Sequence, residues 1–179
     1  MIILLCGLSG AGKTTLARNI KRKLDTSATR AEIIDGDEYR SNLFKELSFT
    51  RQDRFENIRR LGFIAGKFSK HGIVTIISAI NPYAQVRNEL LECYPEAYTV
   101  YVDCPINVLI SRDTKGLYTK ALLPDEHPDK ISNLTGINDQ FDVPHNPDLY
   151  INTHLNSVEE CSNILYDFII NAKKPVYEH

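Results

Sequence analysis

Near the N-terminus, Gly7-Leu8-Ser9-Gly10-Ala11-Gly12-Lys13-Thr14 has the residue types and the spacing that hold phosphate. A glycine, four residues, then Gly-Lys-Thr is the phosphate-binding loop, or P-loop, pattern. Glycines let backbone N–H groups close around phosphate oxygens, where a Cβ would clash or φ must be positive. The helix that follows turns its positive end toward the same anion. Lys13 has the reach for β- and γ-phosphates, and the Thr14 hydroxyl is a ligand type for Mg²⁺. The loop thus predicts ATP with Mg²⁺ and leaves the phosphoryl acceptor open. A Gly-rich turn that binds nothing is the alternative.

A second set of candidates follows at Asp35-Gly36-Asp37 and Arg40. Phosphoryl transfer to a hydroxyl needs a carboxylate to orient or deprotonate the acceptor, and groups that hold Mg²⁺. Asp37 as a helix N-cap, with Asp35 forming the turn, is the structural alternative. Next comes Phe49-Thr50-Arg51-Gln52-Asp53-Arg54-Phe55-Glu56-Asn57-Ile58-Arg59-Arg60, where Thr50 and Asp53 stand near a capping-box arrangement. Arg54 and Asn57, three apart, share one helical face. A guanidinium suits phosphate or sulfate, and an amide suits a base or ribose edge. A solvated Arg-rich face is the alternative.

The elements that must position these groups are legible as apolar runs. Ile2–Cys6, Glu32–Ile34, Ile73–Ala79, Tyr98–Val102 and Leu149–Ile151 read as strands. Helical segments lie between them at Thr14–Leu24, Glu38–Glu46, Arg51–Lys70, Ala84–Cys93 and Ile106–Ser111. A last helix, Val158–Ala172, carries Cys161, Ile164, Leu165, Phe168 and Ile169 on one stripe. Alternation of this kind predicts a three-layer α/β/α fold, a five-stranded parallel sheet with helices on both faces. Ligands of such sheets gather beyond the carboxyl ends of the strands, so Asp35 and Asp37 are predicted to share the crevice of the P-loop. Residues 112–147 break the rhythm and read as a lid over the substrate or as a surface excursion. His127 and His145 within it are candidates for an anion contact or plain loop histidines.

Length and composition bound the rest. The 179 residues make one domain the natural reading, 1–179, with a sizeable core. A net charge of −2 argues against broad nucleic-acid binding. No apolar run approaches the roughly 20 residues of a membrane span, and no signal peptide is recognisable. The cysteines Cys6, Cys93, Cys104 and Cys161 lack metal-type spacing and read as reduced thiols, which points to the cytoplasm.

Taken in order, the motifs resemble the adenylylsulfate kinases (APS kinases) of the P-loop kinase class. The matching pieces are Gly7–Thr15 (GLSGAGKTT), Asp35–Arg40 (DGDEYR), Phe49–Arg60 (FTRQDRFENIRR), Asn81–Arg87 (NPYAQVR), Val102–Pro105 (VDCP), Arg112–Ala121 (RDTKGLYTKA) and Leu134–Ile137 (LTGI). The resemblance implies transfer of the γ-phosphoryl of ATP to the 3′-hydroxyl of adenosine 5′-phosphosulfate (APS), giving PAPS and ADP. It implies that residues Gly7 to Thr15, with Lys13 catalytic, and Arg112 bind ATP. Thr14 and Asp35 would hold the metal, and Asp37 would orient or deprotonate the acceptor hydroxyl. Asp37, Arg40, Phe49, Arg54, Asn57, Ile80, Lys115 and Leu134 would form the APS site, with Phe49 stacked on the adenine. Lys120 would belong to the lid, with Tyr118 packing it shut or serving as a hinge-side aromatic. A homodimer is a further expectation of the same kind.

The chain departs from the family pattern at three places. Leu134 stands where a Phe commonly closes the adenine sandwich. Ala79-Ile80-Asn81-Pro82 replaces the usual Phe-Ile-Ser-Pro, so the serine that some members phosphorylate is absent. The stretch between Ala121 and Leu134 is longer, with Pro124, His127 and Pro128. A kinase of another small hydroxyl acceptor is therefore the second reading, and a nucleotide-binding module without turnover the third.

Overall fold

The computed structural model describes residues 1–172. Its sheet has five parallel strands in the order β2-β3-β1-β4-β5. They are β1 (Ile2–Cys6), β2 (Ala31–Asp35), β3 (Val74–Ser78), β4 (Ala97–Asp103) and β5 (Leu149–Asn152). β1 lies at the centre and is fully buried, which is why it reads as an unbroken apolar run rather than an alternation. Its side chains still divide by parity. Ile3 and Leu5 enter one core with Leu16, Ala17, Ile20 and Leu24 of α1 (Lys13–Thr26) and Leu165 and Ile169 of α7 (Val158–Ala172). Ile2 and Leu4 enter the other with Phe55, Ile58, Leu61 and Ala65 of α3 (Arg51–Lys70) and Val86 and Leu90 of α4 (Ala84–Cys93). Two cores, one on each face, make the three layers.

α3, α4 and α7 occupy the residues that their periodicity predicts. The second helix does not. Glu38–Glu46 was the expected span, whereas α2 covers Gly36–Asn42. The Asp35 side chain accepts hydrogen bonds from the Asp37 and Glu38 backbone N–H groups and starts the helix early. The chain then turns at Leu43 and buries Phe44 beside Tyr39, under the Arg60 guanidinium. Asp35, not Asp37, is therefore the cap. On α7 the stripe is narrower than its sequence suggests: Ile164 is exposed, and Ser162 takes the buried place. Thr50 caps α3 as expected, accepting from the Asp53 N–H.

Residues 112–147 follow α5 (Ile106–Arg112) and contain one more short helix, α6 (Leu117–Ala121). Periodicity misses it because five residues are little more than one turn. The segment is anchored, since Tyr118, Ala121 and Leu134 are buried in the α1/α7 core. Among the described residues no helix is long and apolar enough to cross a membrane.

Candidate active site

The sheet order reverses direction at β1, because the chain passes from β3 on one side of it to β4 on the other. The crevice beyond the carboxyl ends of the strands opens at such a point. Here it is a cavity of about 910 Å³, near the upper end of the roughly 300–1,000 Å³ typical of ligand sites. The end of β1, β2 and β3 each delivers a group to it: the P-loop, Asp35 and Ser78.

The P-loop is held by specific contacts. The Gly7 N–H donates to the Ile80 carbonyl, and a Cβ on Gly7 would lie 2.2 Å from the Val102 carbonyl oxygen. That position admits only glycine, because backbone cannot move aside as a side chain can. Gly12 has φ 93° and precedes α1, so the turn into the helix needs the left-handed region. Thr153 donates its hydroxyl to the Ala11 carbonyl, and Tyr118 donates from Oη to the Ser9 carbonyl at 2.8 Å. The loop is thus clasped from β5's end and from α6. The lid aromatic that the sequence left between two readings packs onto the loop itself.

Lys13 is buried and donates from Nζ to the carbonyls of Gly7 and Leu8. Burial, and next the charge of Lys115, pull its pKa down to about 8. Thr14 Oγ1 donates to Asp35 Oδ2 at 2.9 Å and lies 3.2 Å from Ser78 Oγ. Asp35 therefore does two jobs, capping α2 with one oxygen and holding Thr14 with the other. These hydroxyl and carboxylate oxygens are hard donors of the kind Mg²⁺ takes. That ion uses one or two protein carboxylates and fills its remaining positions with phosphate and water. The site fits it, although no group of three or more His, Cys, Asp or Glu side chains comes together among the described residues.

Across the cavity stand Asp37, Arg40, Phe49, Arg54 and Leu134. Asp37 Oδ2 accepts from Lys115 Nζ at 2.8 Å, which ties the segment after α5 to the end of β2. The Phe49 ring is half exposed, with the Arg40 and Arg54 guanidinium carbons 4.8 and 5.6 Å from its centre. Arg54 is buried and donates from Nε to the Phe49 carbonyl and from Nη2 to the Asn133 carbonyl, with Asp139 3.5 Å away. Arg40 donates to the Leu47 and Ser48 carbonyls, and its pKa is lowered by burial and by the Arg54 charge. Two crowded, partly desolvated guanidiniums beside an exposed aromatic ring are suited to an anion attached to a flat ring.

The predicted residues do not all meet in one place. Ser9, Gly10, Gly12, Lys13, Thr14 and Thr15 of the loop line the cavity, and Ile80 and Lys115 line it too. Gly7, Leu8 and Ala11 shape the loop without lining it. Asn57 lies in an adjoining cavity of about 50 Å³, which shares Asp37, Arg40, Phe49, Arg54 and Ile80 with the larger one. The Ile80 carbonyl is engaged by Gly7. Arg112 sits outside both cavities, its guanidinium near Cys104 Sγ. Lys120, His127 and His145 are exposed and line neither. Ser78 and Asp139 were missed. Ser78 ends a strand and was within reach of the strand-end rule, whereas nothing local marks Asp139 as the partner of Arg54 and Tyr83.

The adenylylsulphate kinase family model matches residues 1–152. The adenylyl-sulfate kinase of Chloroflexus aurantiacus is 45% identical over 90% of this chain and 84% of its own. That of Deinococcus deserti is 42% identical over 96% and 92%. Among solved structures, the Mycobacterium tuberculosis APS kinase CysC in complex with AMPPNP and APS superposes with a TM-score of 0.87 at 32% identity. The match covers 94% of this chain and 96% of that one. By sequence and by fold, this chain belongs to the adenylylsulfate kinase family.

Proposed function

We propose that this chain transfers the γ-phosphoryl of ATP to the 3′-hydroxyl of adenosine 5′-phosphosulfate, releasing PAPS and ADP. The observation that carries the reading is the two-sided cavity. Its one wall is a phosphate-binding loop, and its other pairs guanidiniums with an aromatic face. A donor nucleotide and an anionic, ring-bearing acceptor fit opposite each other across it.

In this reading the P-loop amides and Lys13 hold the β- and γ-phosphates, with Arg112 at the edge of the ATP site. Thr14 and Asp35 hold Mg²⁺, which when bound neutralises charge on the phosphates. The acceptor lies against Phe49 and Leu134, with its phosphosulfate toward Arg40 and Arg54 and with Asn57 and Ile80 beside it. Asp37 orients the 3′-hydroxyl and takes its proton as the oxygen forms its bond to the γ-phosphorus. The bond from that phosphorus to the β–γ bridging oxygen breaks, and ADP leaves with the electron pair. Lys115, which already donates to Asp37, places a cation where charge develops on the transferring group. Residues 112–147 act as the lid that excludes water during transfer. A cytoplasmic location and the homodimer that the resemblance implies belong to the same proposal. Sedimentation velocity on the purified chain checks the dimer.

The test is ADP release from ATP and Mg²⁺ with and without APS. The reading predicts release that depends on APS. ADP formed only with a different hydroxyl acceptor favours the second reading, and ATP binding without turnover on any acceptor favours a binding module.

A further inference from the structure

Between α5 and α6 the chain makes one tight turn, and Asp113 holds both of its ends. The Asp113 N–H donates to the Leu109 carbonyl at 2.8 Å and closes the last turn of α5. Its own backbone is left-handed, φ 30° and ψ 50°, a region that Asp and Asn tolerate best among residues with a side chain. The Asp113 carbonyl accepts from the Gly116 N–H at 2.9 Å, which closes a four-residue turn with Thr114 and Lys115 at its tip. The carboxylate starts α6: Oδ1 accepts from the Tyr118 N–H at 3.0 Å and Oδ2 from the Thr119 N–H at 2.8 Å. N–H groups of a first helical turn find no carbonyl within their own helix, and Gly116, just before α6, has no side chain to take them. Glycine would meet the backbone requirement at position 113 equally well. The carboxylate is therefore there for α6.

What the turn carries gives this a consequence. Asp113 lines neither cavity, whereas Thr114 and Lys115 line the large one. Lys115 Nζ donates to Asp37 Oδ2 at 2.8 Å, yet the two side chains are 52% and 75% exposed. An ion pair so open to water does little to hold backbone in place. The position of Lys115 must come from the turn beneath it. The fixed point is α6, whose Tyr118 is buried and donates to the Ser9 carbonyl of the P-loop. The Asp113 carboxylate is what fastens the turn to that helix.

We propose that Asp113 is a positioning residue for phosphoryl transfer. By capping α6 with its carboxylate and closing the turn with its backbone, it holds the Lys115 ammonium at Asp37. It touches no substrate and acts through Lys115. The inference rests on the part given to Lys115 in the proposed function and deepens it.

Two substitutions test this in the full chain, read by APS-dependent ADP release. Asp113→Gly keeps the left-handed backbone and deletes both side-chain bonds, whereas Asp113→Asn keeps one acceptor oxygen. Asp113→Gly is expected to lower kcat about tenfold, since misplacing a group by an ångström has effects of that size. Its KM for ATP and its calorimetric Kd for ADP should stay within about twofold, because Tyr118 keeps its hold on the P-loop. Asp113→Asn should recover most of the lost rate. In a Lys115→Met background, Asp113→Gly should lower kcat by less than about twofold, because the two act as one unit. Unchanged kcat in Asp113→Gly, an equal loss in both backgrounds, or no recovery in Asp113→Asn overturns the proposal. Loss of ADP binding by Asp113→Gly makes Asp113 a folding residue and overturns it as well. If Lys115→Met keeps full kcat, or the unsubstituted chain makes no PAPS, the reading above falls and the inference with it. If Lys115→Met is slow and Asp113→Gly is not, only the inference falls.

Discussion

Lys13 gives a prediction that depends on burial rather than on sequence motif. Its ammonium sits in the P-loop with two backbone carbonyls for partners, and burial lowers its pKa from 10.5 to about 8. That drop corresponds to about 3 kcal/mol by which the folded chain disfavours the charged form. A polyphosphate brought against Nζ reverses the bias, so nucleotide binding should take up a proton. With the bound pKa back at its ordinary value, uptake is about 0.1 proton at pH 7, about 0.5 at pH 8 and about 0.9 at pH 9. Affinity for ATP should be flat below pH 8 and fall about tenfold per pH unit above it, until the bound pKa is reached. Calorimetry in buffers of different ionisation enthalpy reads the uptake directly, and Lys13→Met should abolish it. No proton uptake at pH 9, or the same uptake in Lys13→Met, refutes the reasoning. Stability without nucleotide carries the opposite sign. Between pH 8 and 10.5 the unfolded chain binds the proton that the folded chain has lost, so the Lys13 penalty is full below pH 8 and fades as pH rises through that window.

Other substitutions probe other walls of the cavity. Asp37→Asn should remove most turnover while ATP affinity by calorimetry holds, since the proposed mechanism gives Asp37 the acceptor hydroxyl and not the ATP phosphates; near-normal kcat would unseat it as the group that handles the hydroxyl. Leu134→Phe adds a second aromatic face to the cavity that Phe49 lines and should lower KM for APS by a factor reflecting about 0.5–1.5 kcal/mol of stacking, measured by initial rates. Gly7→Ala drives a Cβ to 2.2 Å from the Val102 carbonyl and should cost more than about 3 kcal/mol in chemical unfolding, well beyond an ordinary surface change.

The strands were legible as apolar runs, β1 and β3 most plainly because both are buried along their whole length, and the P-loop because its chemistry demands a fixed spacing. α2 was misplaced because its start depends on which of two aspartates caps it, and Asp35 won by also holding Thr14 across the crevice. Ile164 shows the limit of periodicity: a stripe counted on one helix does not say how wide a face its neighbours cover. What the sequence left open or missed acts at long range. Tyr118 reaches the P-loop, and Asp139 pairs with Arg54, through contacts that exist only once the chain has folded.

The central claim is that the two walls of one cavity hold a phosphoryl donor and an adenosine phosphosulfate acceptor. It is tested most directly by following the label from ATP carrying a radioactive γ-phosphoryl in the presence of APS, or of an APS analogue that lacks the 3′-hydroxyl. The account predicts label at the 3′ position of the product from APS and none with the analogue. Label transferred equally to both, or no transfer to APS by a chain that turns over another acceptor, would contradict it.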